Sequence, residues 1–354
     1  MSTIKVALTY NLKPKSFEEF FQKYNSSISE EDFKSEDQFA EWDNIEVIEA
    51  VKEAITKKYN CVLIEADINF IESIKLEKPN IVFNISEGLN QTSREAQVPA
   101  ILDMLNIPYT GSGVWTLATC LDKFRTKQIL EWNNIKTPKA ELIHSLEDVN
   151  KVKNNLQFPI ILKPISEGSS KGIFNDSLIN SFEEGRNVII ERLNKYKQPF
   201  LAEEFLSGRE FTVGILGNYP NEEVLPIVEI KYDIMPADIN KIYSYEAKWI
   251  IDRPENPLDI FECPAKINQK LKSKIIECSL RAYRSLDCKD WARIDIRLDN
   301  NDEPNILEIN PLPGILPKPE DNSCLPKAAR AAGYSYEDLI LKILENGMMR
   351  YNLL

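Results

Sequence analysis

Histidine is nearly absent from this 354-residue chain, which holds one, His144. A Ser–His–Asp relay would have to be built on that residue, and a metal centre would find a single imidazole. His144 lies in Leu142-Ile143-His144-Ser145, a strand end, and reads as a structural or solvent-facing side chain. Cysteine is scarce as well. The six thiols at 61, 120, 263, 278, 288 and 324 form no CxxC pair and no zinc-like spacing, the pattern of reduced, mostly buried residues. No apolar run approaches membrane-spanning length, and Met1–Leu8 enters strand pattern with no basic leader or cleavage site, so a cytoplasmic protein is expected. Positive charge is in deficit: 43 Lys and Arg against 55 Asp and Glu give a net charge of −12. That balance disfavours nucleic acid and anionic membranes as partners.

Chemistry therefore falls to Asp, Glu, Lys, Arg and backbone amides, a set suited to phosphoryl transfer, where positioning and electrostatics dominate. The length allows two or three domains with substantial cores. The first third alternates strand and helix. Ile4–Thr9 is an apolar strand; Ile45, Ile48, Val51 and Ile55 have helical spacing; Cys61–Ala66 and Asn80–Ile85 are strands; Glu95–Asn106 is a helix leading into a strand at Ile107–Thr110. This repetition predicts an α/β domain with a doubly wound parallel sheet, its ligands near Thr9–Asn11, Ser86–Arg94 and Thr110–Gly113. Beyond Val114 the pattern becomes mixed α+β: a helix over 117–132, a strand within 137–145, a helix over 146–156, and strands at 159–164, 199–206 and 211–216. Three lobes are expected, over 1–113, 114–202 and 203–354. Much of the negative charge lies in Ser29–Glu41, read as a solvated insertion, with a place at the substrate entrance as the alternative.

Trp291–Leu298 and Asn305–Ile309 alternate in character on either side of a polar turn. Side chains two apart on a strand share a face, so Arg293 and Asp295 point one way, as do Glu308 and Asn310. If the strands pair, one wall carries two carboxylates, an amide oxygen and a guanidinium. Such hard donors suit Mg²⁺ held partly by substrate phosphates, with a cation for charge that develops during transfer. A solvated hairpin with a surface ion pair is the plain alternative. Lys163 ends an apolar strand just before the small-residue loop Ser166–Gly172, and Lys123 begins a helical turn. Two lysines and a loop of backbone N–H groups would close on one polyphosphate. Phe200–Glu210 reads as a strand running into a connector that would meet an adenine edge, with Phe205 and Leu206 as walls and Glu210 at ribose hydroxyls. A plain strand–turn–strand is the other reading.

Together these residues resemble the D-alanine–D-alanine ligases and their relatives in the ATP-grasp superfamily, from about Gln97 to Leu344. The resemblance rests on Ile107–Ser112, Leu121–Lys123, Phe158–Pro164, Glu167–Ser170, Tyr245–Lys248, Ala292–Asp295 and Leu307–Pro311. It implies a three-lobed ATP-grasp homodimer that uses ATP to join a small-molecule carboxylate to an amine. By that resemblance Lys123 and Lys163 hold ATP phosphates, with Ser169 and Ser170 in a mobile loop above them. Glu203, Phe205 and Leu206 line the adenine site, Glu204 is a further nucleotide contact, Glu210 takes the ribose and Lys248 meets the terminal phosphates. Asp295, Glu308 and Asn310 bind two Mg²⁺ ions, and Arg293 with the Gly314 amide stabilises an oxyanion; Ser169 and Lys248 join them as catalytic groups. The implied reaction passes a phosphoryl group to a carboxylate, and an amine then displaces phosphate from the acyl phosphate. The Ser166–Gly172 loop excludes water meanwhile.

The departures lie at the amino-acid pockets. The family's Gly-Gly-x-Ser-x-Glu motif after the first strand is replaced by Thr9-Tyr10-Asn11-Leu12-Lys13-Pro14-Lys15-Ser16, and its histidine-glycine segment by Asn84-Ile85-Ser86-Glu87-Gly88 with Arg94-Glu95 beyond. The loop Ile315–Cys324 is longer and richer in proline than usual, and Trp249 stands where a tyrosine is usual. Glu87, Arg94, Glu95 and Lys318 are the candidates for substrate contacts. The expected activity is an ATP-dependent carboxylate–amine ligase with substrates other than two D-alanines, in a specialised peptide or natural-product pathway. D-Alanyl-D-alanine synthesis with a rebuilt first pocket is the runner-up. A silent ATP-binding regulator would carry a damaged metal site, and a small-molecule kinase would have no need of the Arg293–Gly314 pair.

Overall fold

A computed structural model describes residues 4–24, 33, 39–89, 93–196, 198–235, 240–251 and 258–354. Most of the acidic Ser29–Glu41 segment lies outside these residues. Strands β1 (Lys5–Tyr10), β2 (Asn60–Glu65) and β3 (Ile81–Asn84) form a parallel sheet in the order β2-β1-β3. Val6, Leu8, Ile81 and Phe83 turn to one core; Ala7, Ile64 and Val82 turn to another, with Phe70, Ile74 and Leu102. Burial on both faces is why these strands are continuously apolar. The first core takes the apolar stripe of the helix Ile45–Thr56, which starts where Asn44 Oδ1 accepts the Val47 N–H at 3.1 Å. It also takes Leu339, Ile340, Ile343 and Leu344 of the helix Tyr336–Arg350, so the first and third lobes share it. The strand expected at Ile107–Thr110 is reduced to one parallel bridge between Tyr109 and Val82, beside Pro108, which has no N–H for a longer ladder.

The second sheet contains β4 (Ala140–Ile143), β5 (Ile160–Pro164), β6 (Leu178–Ile179) and β7 (Phe200–Glu204), in the antiparallel order β4-β7-β5-β6. Val149, Val152 and Ile189 from its two helices pack on Ile160, Leu162, Phe200 and Ala202. The boundary expected at 202/203 falls inside β7, where Glu203 still pairs with Ala140 and Glu204 with Ile160. The single helix expected over 117–132 is two, Val114–Leu121 and Lys123–Trp132. Asp122 divides them: its backbone is extended and its carboxylate accepts the Arg125 N–H at 2.9 Å, the N-cap arrangement that an interior helical residue does not adopt. Cys120 and Leu130 of these helices lie in the core of the third sheet, so a lobe that begins at 114 by chain order begins near 136 by packing.

The third sheet contains β8 (Glu210–Leu216), β9 (Glu223–Val224), β10 (Val228–Ile230), β11 (Phe261–Glu262), β12 (Trp291–Leu298) and β13 (Pro304–Asn310). Its order is β11-β10-β8-β12-β13, with β9 also on β8 and all pairs antiparallel. One face is apolar: Phe211, Val213, Ile215, Ile294, Ile296, Ile306 and Ile309 pack with Ile275, Ala282 and Tyr283 of the helix Gln269–Ser285. The opposite face presents Glu210 and Thr212 from β8, Arg293, Asp295 and Arg297 from β12, and Glu308 and Asn310 from β13. Ile306 and Glu308 are two apart and would share a face in a regular strand. The register steps from Asp295–Glu308 to Ile296–Ile306, and this bulge, with Leu307 as its extra residue, sends Ile306 into the core and Glu308 to the polar side. Ile294 is fully buried. Ile294→Ala is expected to lower unfolding free energy by about 2–5 kcal/mol in urea titration, and a loss under about 1 kcal/mol would contradict the tight packing of this face.

Candidate active site

Arg293 stands opposite Asn310, and Asp295 opposite Glu308, on alternate rungs of β12 and β13, with the Ile294–Ile309 pair between them. Arg293 donates to both oxygens of Asp295, Nε to Oδ1 at 3.0 Å and Nη2 to Oδ2 at 2.8 Å. Thr212, cross-strand from Asp295 on β8, donates to Oδ1 at 2.6 Å. Asn310 Nδ2 donates to Asp295 Oδ2 at 3.1 Å and to Glu308 Oε1 at 3.4 Å. Lys123 Nζ lies 3.7 Å from Glu308 Oε2. Burial alone would raise the Glu308 carboxyl, but Lys123, Arg293 and Lys163 outweigh it and hold it at about 2. Glu308 is therefore ionised at neutral pH, and the Asn310 amide, its nitrogen turned to the carboxylates, keeps its oxygen for another partner. This oxygen set fits a hard divalent cation. Asp295 would join it once the guanidinium leaves one of its oxygens.

The two lysines predicted to flank a polyphosphate approach from separate elements. Lys123 follows the Asp122 break; its N–H meets Ile165 O at 3.1 Å and its ammonium donates to Glu167 O. Lys163 on β5 donates to Glu203 Oε1 at 2.8 Å. Glu203 also receives Lys127, so one fully buried carboxylate stands between two ammonium groups. Burial would raise that carboxyl, and Lys127 and Lys163 together bring it below its ordinary value. Above them Ser169 and Ser170 have left-handed backbones, with φ of 48° and 61°. Ser169 Oγ accepts from Lys248 Nζ at 3.3 Å, and Ser170 Oγ donates to Tyr243 O at 2.7 Å. Burial, then the neighbouring Arg293, depress the Lys248 ammonium to about 8.

Other expected positions divide. Glu204 turns away from Glu203, as successive strand residues do, and accepts the Gln157 N–H at 2.9 Å; only its main chain can face a nucleotide beside Glu203. Phe205 lies 4.4 Å from the Arg297 guanidinium, which also donates to Glu210 Oε2 at 2.9 Å. Leu206 is half-buried at the start of the connector. Gly314 is exposed, and a Cβ there would meet nothing within 4 Å. Glu87 and Glu95 come together with Glu41, their carboxylate oxygens within 4.8 Å of one another. Arg94 is bound to Glu41 and donates to Ser166 O at 2.6 Å, which makes it a tie between the first lobe and the loop. Lys318 is not in this group: it is exposed and pairs with Glu46 at 2.8 Å.

Sequence reasoning missed Lys127, Thr212, Arg297 and Glu41. Lys127 is one helical turn beyond Lys123 and thus on the same face, a usable signal. Thr212 is two residues from Glu210, and Arg297 two from Asp295, so strand alternation also carried them. Glu41 carries no signal of its own: its segment reads as a solvated insertion, with a place at the substrate entrance as the alternative, and its side chain is 12% exposed and paired.

Residues 128–345 match the family model for the D-ala D-ala ligase C-terminus. The chain is 34% identical over 278 residues to a D-alanine–D-alanine ligase of Bordetella avium, covering 78% of this chain and 80% of that one. The chain belongs to the D-alanine–D-alanine ligase family. A Carboxydothermus hydrogenoformans member is 33% identical over 308 residues, 85% of this chain and 92% of that one. The uncharacterized protein y4sG of Sinorhizobium fredii is 33% identical over 273 residues, with 77% and 75% covered. The D-alanine–D-alanine ligase of Bacillus anthracis, solved with ATP, has the same fold: TM-score 0.70, 22% identity and 99% of both chains. So has the VanG D-Ala:D-Ser ligase of Enterococcus faecalis, with TM-score 0.70, 18% identity, and 98% of this chain and all of that one covered. This family member is thus an ATP-grasp ligase that forms carbon–nitrogen bonds, using ATP and a divalent metal.

Breaking a buried ion pair by removing one partner costs about 3–5 kcal/mol. Glu203→Gln is expected to destabilise the ligase by that amount in chemical denaturation, because Lys127 and Lys163 would lose their shared counter-ion. Unchanged stability would contradict the neutralising role of Glu203.

Proposed function

We propose that this ligase joins the carboxylate of one amino-acid-like substrate to the amine of another through an acyl phosphate, with substrates other than two D-alanines. The single observation behind the reaction type is the polar face of the third sheet, which opposes Asp295–Glu308 to Lys123 and Arg293 beneath the Ser166–Gly172 loop. Asp295, Glu308 and Asn310 would hold two Mg²⁺ ions, whose chemistry is to neutralise phosphate oxygens. Lys123, Lys163 and Lys248 place positive charge around the transferred phosphoryl group. Phe205, Leu206 and the Glu203–Glu204 main chain bound the adenine, with Glu210 at the ribose. Once the acyl phosphate forms, Arg293 and the Gly314 N–H offset negative charge on the tetrahedral intermediate as the amine adds and phosphate leaves. Ser169, held by Lys248, and the rest of the loop keep water away from the acyl phosphate.

Support for altered substrates comes from the first pocket, where Glu41, Glu87, Arg94 and Glu95 gather. A second reading, D-alanyl-D-alanine synthesis for peptidoglycan precursors, is favoured by the names of the relatives, among them the ligases of Bordetella avium and Carboxydothermus hydrogenoformans. Phosphate release over D- and L-amino acids, dipeptides and aryl acids, with mass spectrometry of products, separates the two. Activity with D-alanine alone would establish the second. A cytoplasmic homodimer completes the proposal: the six cysteines are free, as a reducing compartment requires, and dimerisation follows the family resemblance.

Glu308→Ala is expected to reduce ADP formation by at least about 10²-fold, a loss on the scale of one transition-state charge contact, while thermal melting stays cooperative. Normal turnover would remove the metal assignment. Chelation of divalent ions is expected to stop phosphate release from the wild-type protein and leave its melting unchanged or lower. Release that persists without them would refute metal dependence.

A further inference from the structure

Past the metal wall the polar face of the third sheet carries one more cation. Arg297 follows Asp295 by two residues on β12 and stands directly opposite Glu210 on β8. It is 5% exposed, and its guanidinium lies against two rings, 4.4 Å from the centroid of Phe205 and 5.4 Å from that of Tyr232. Its donors go three ways. Nε donates to Gly208 O at 3.2 Å, Nη1 to Glu210 Oε2 at 2.9 Å and Nη2 to Lys241 O at 2.9 Å. One planar group therefore holds the connector after β7, the end of β8 and the segment leading into Lys248. A lysine, with a single point of charge on a flexible stem, could not serve all three directions at once. A Cβ on Gly208 would stand 2.4 Å from Leu298 O, so the lack of a side chain there lets the connector lie close against β12.

The consequence falls on Glu210. Its side chain is 12% exposed, and Tyr232 Oη donates at 3.0 Å to Oε2, the oxygen that already receives Arg297. Both donors thus converge on one oxygen, and among the described residues Oε1 accepts no hydrogen bond. A carboxylate oxygen left without a donor can accept from two hydroxyls, the number a vicinal diol brings. Burial raises the Glu210 carboxyl above its ordinary value, and Arg297 is the strongest influence against that rise. We propose that Arg297 is a positioning residue for the nucleoside: it aims the open oxygen of Glu210 at the ribose hydroxyls, fixes Phe205 against the base, and so makes the ligase select ribonucleotides over their deoxy forms. This role rests on the nucleotide placement proposed above and names the group that makes that placement selective. Arg297 itself acts through Glu210 and Phe205. Removing it would leave Glu210 free to turn or to keep a proton, and a protonated carboxyl loses acceptor capacity.

The test is calorimetric titration of the full chain, with Mg²⁺ present, using ADP, 2′-deoxy-ADP and 3′-deoxy-ADP. At least one deoxy form is expected to bind about tenfold or more weakly than ADP, the scale of a hydrogen bond to a charged group. Arg297→Met and Arg297→Lys should each weaken ADP and cut that margin to about twofold or less, because Glu210 is no longer aimed. Arg297→Lys keeps the positive charge and carries the comparison should the methionine variant lose cooperative melting. An arginine that serves only the sheet would weaken all three nucleotides alike and leave their ratio where it was; that result would overturn the proposal. So would a wild-type protein that binds the three equally. Phosphate release from ATP with amino acids, measured alongside, keeps the two readings apart. Hydroxyl selectivity without release from any substrate pair would sink the ligase reading and leave the role of Arg297 standing; release with equal kcat/KM from ATP and both deoxy forms would do the reverse.

Discussion

Asp295 and Glu308 face each other across β12 and β13, and two carboxylates in direct cross-strand register repel. Much of the surrounding architecture supplies the positive charge that makes this rung tolerable. Arg293, from the same strand, takes both oxygens of Asp295. Lys123 reaches Glu308 from a helix that begins only because Asp122 interrupts its predecessor. The bulge in β13 brings Glu308 to this face while Ile306 stays in the core. The result is a wall balanced by cations that phosphate and metal would partly displace, so that ligand binding exchanges one set of charge contacts for another.

The Ser166–Gly172 loop is where the lobes are joined electrically. Arg94 from the first lobe donates to Ser166 O, Lys123 to Glu167 O, and Lys248 from the third lobe to Ser169 Oγ. A Cβ on Gly168 would stand 2.2 Å from Glu41 Oε1, so the absence of a side chain there allows the first lobe to close over the loop. A loop fastened by charged side chains from separate lobes responds to whatever charge enters beneath it.

Much of this was legible because two periodicities are simple. The twofold alternation of Arg293, Asp295, Glu308 and Asn310 places four polar groups on one wall from the sequence alone, and the apolar runs of β1 and β3 mark a sheet covered on both faces. What escaped has local causes. Helical spacing across 117–132 hid the break at Asp122, whose capping carboxylate outweighs periodicity. Pro108 cut a strand down to one bridge. The alternation that found the wall also turned Glu204 away from Glu203. Lys318 and Glu41 show the sharper limit: charge in a polar segment says nothing about burial. Lys318 is spent on a surface pair with Glu46, whereas Glu41 is drawn inward by Arg94. Long-range pairing between residues 41 and 94 leaves no trace in spacing.

The central claim is that magnesium and nucleotide meet on the polar face of the third sheet. A crystal structure of the protein grown with Mg²⁺ and a non-hydrolysable ATP analogue tests it most directly. The account predicts metal density on Asp295, Glu308 and Asn310, phosphates between Lys123 and Lys163, and the base against Phe205 and Leu206. Nucleotide bound elsewhere, with Arg293 still closed on Asp295 and no metal beside Glu308, would contradict it.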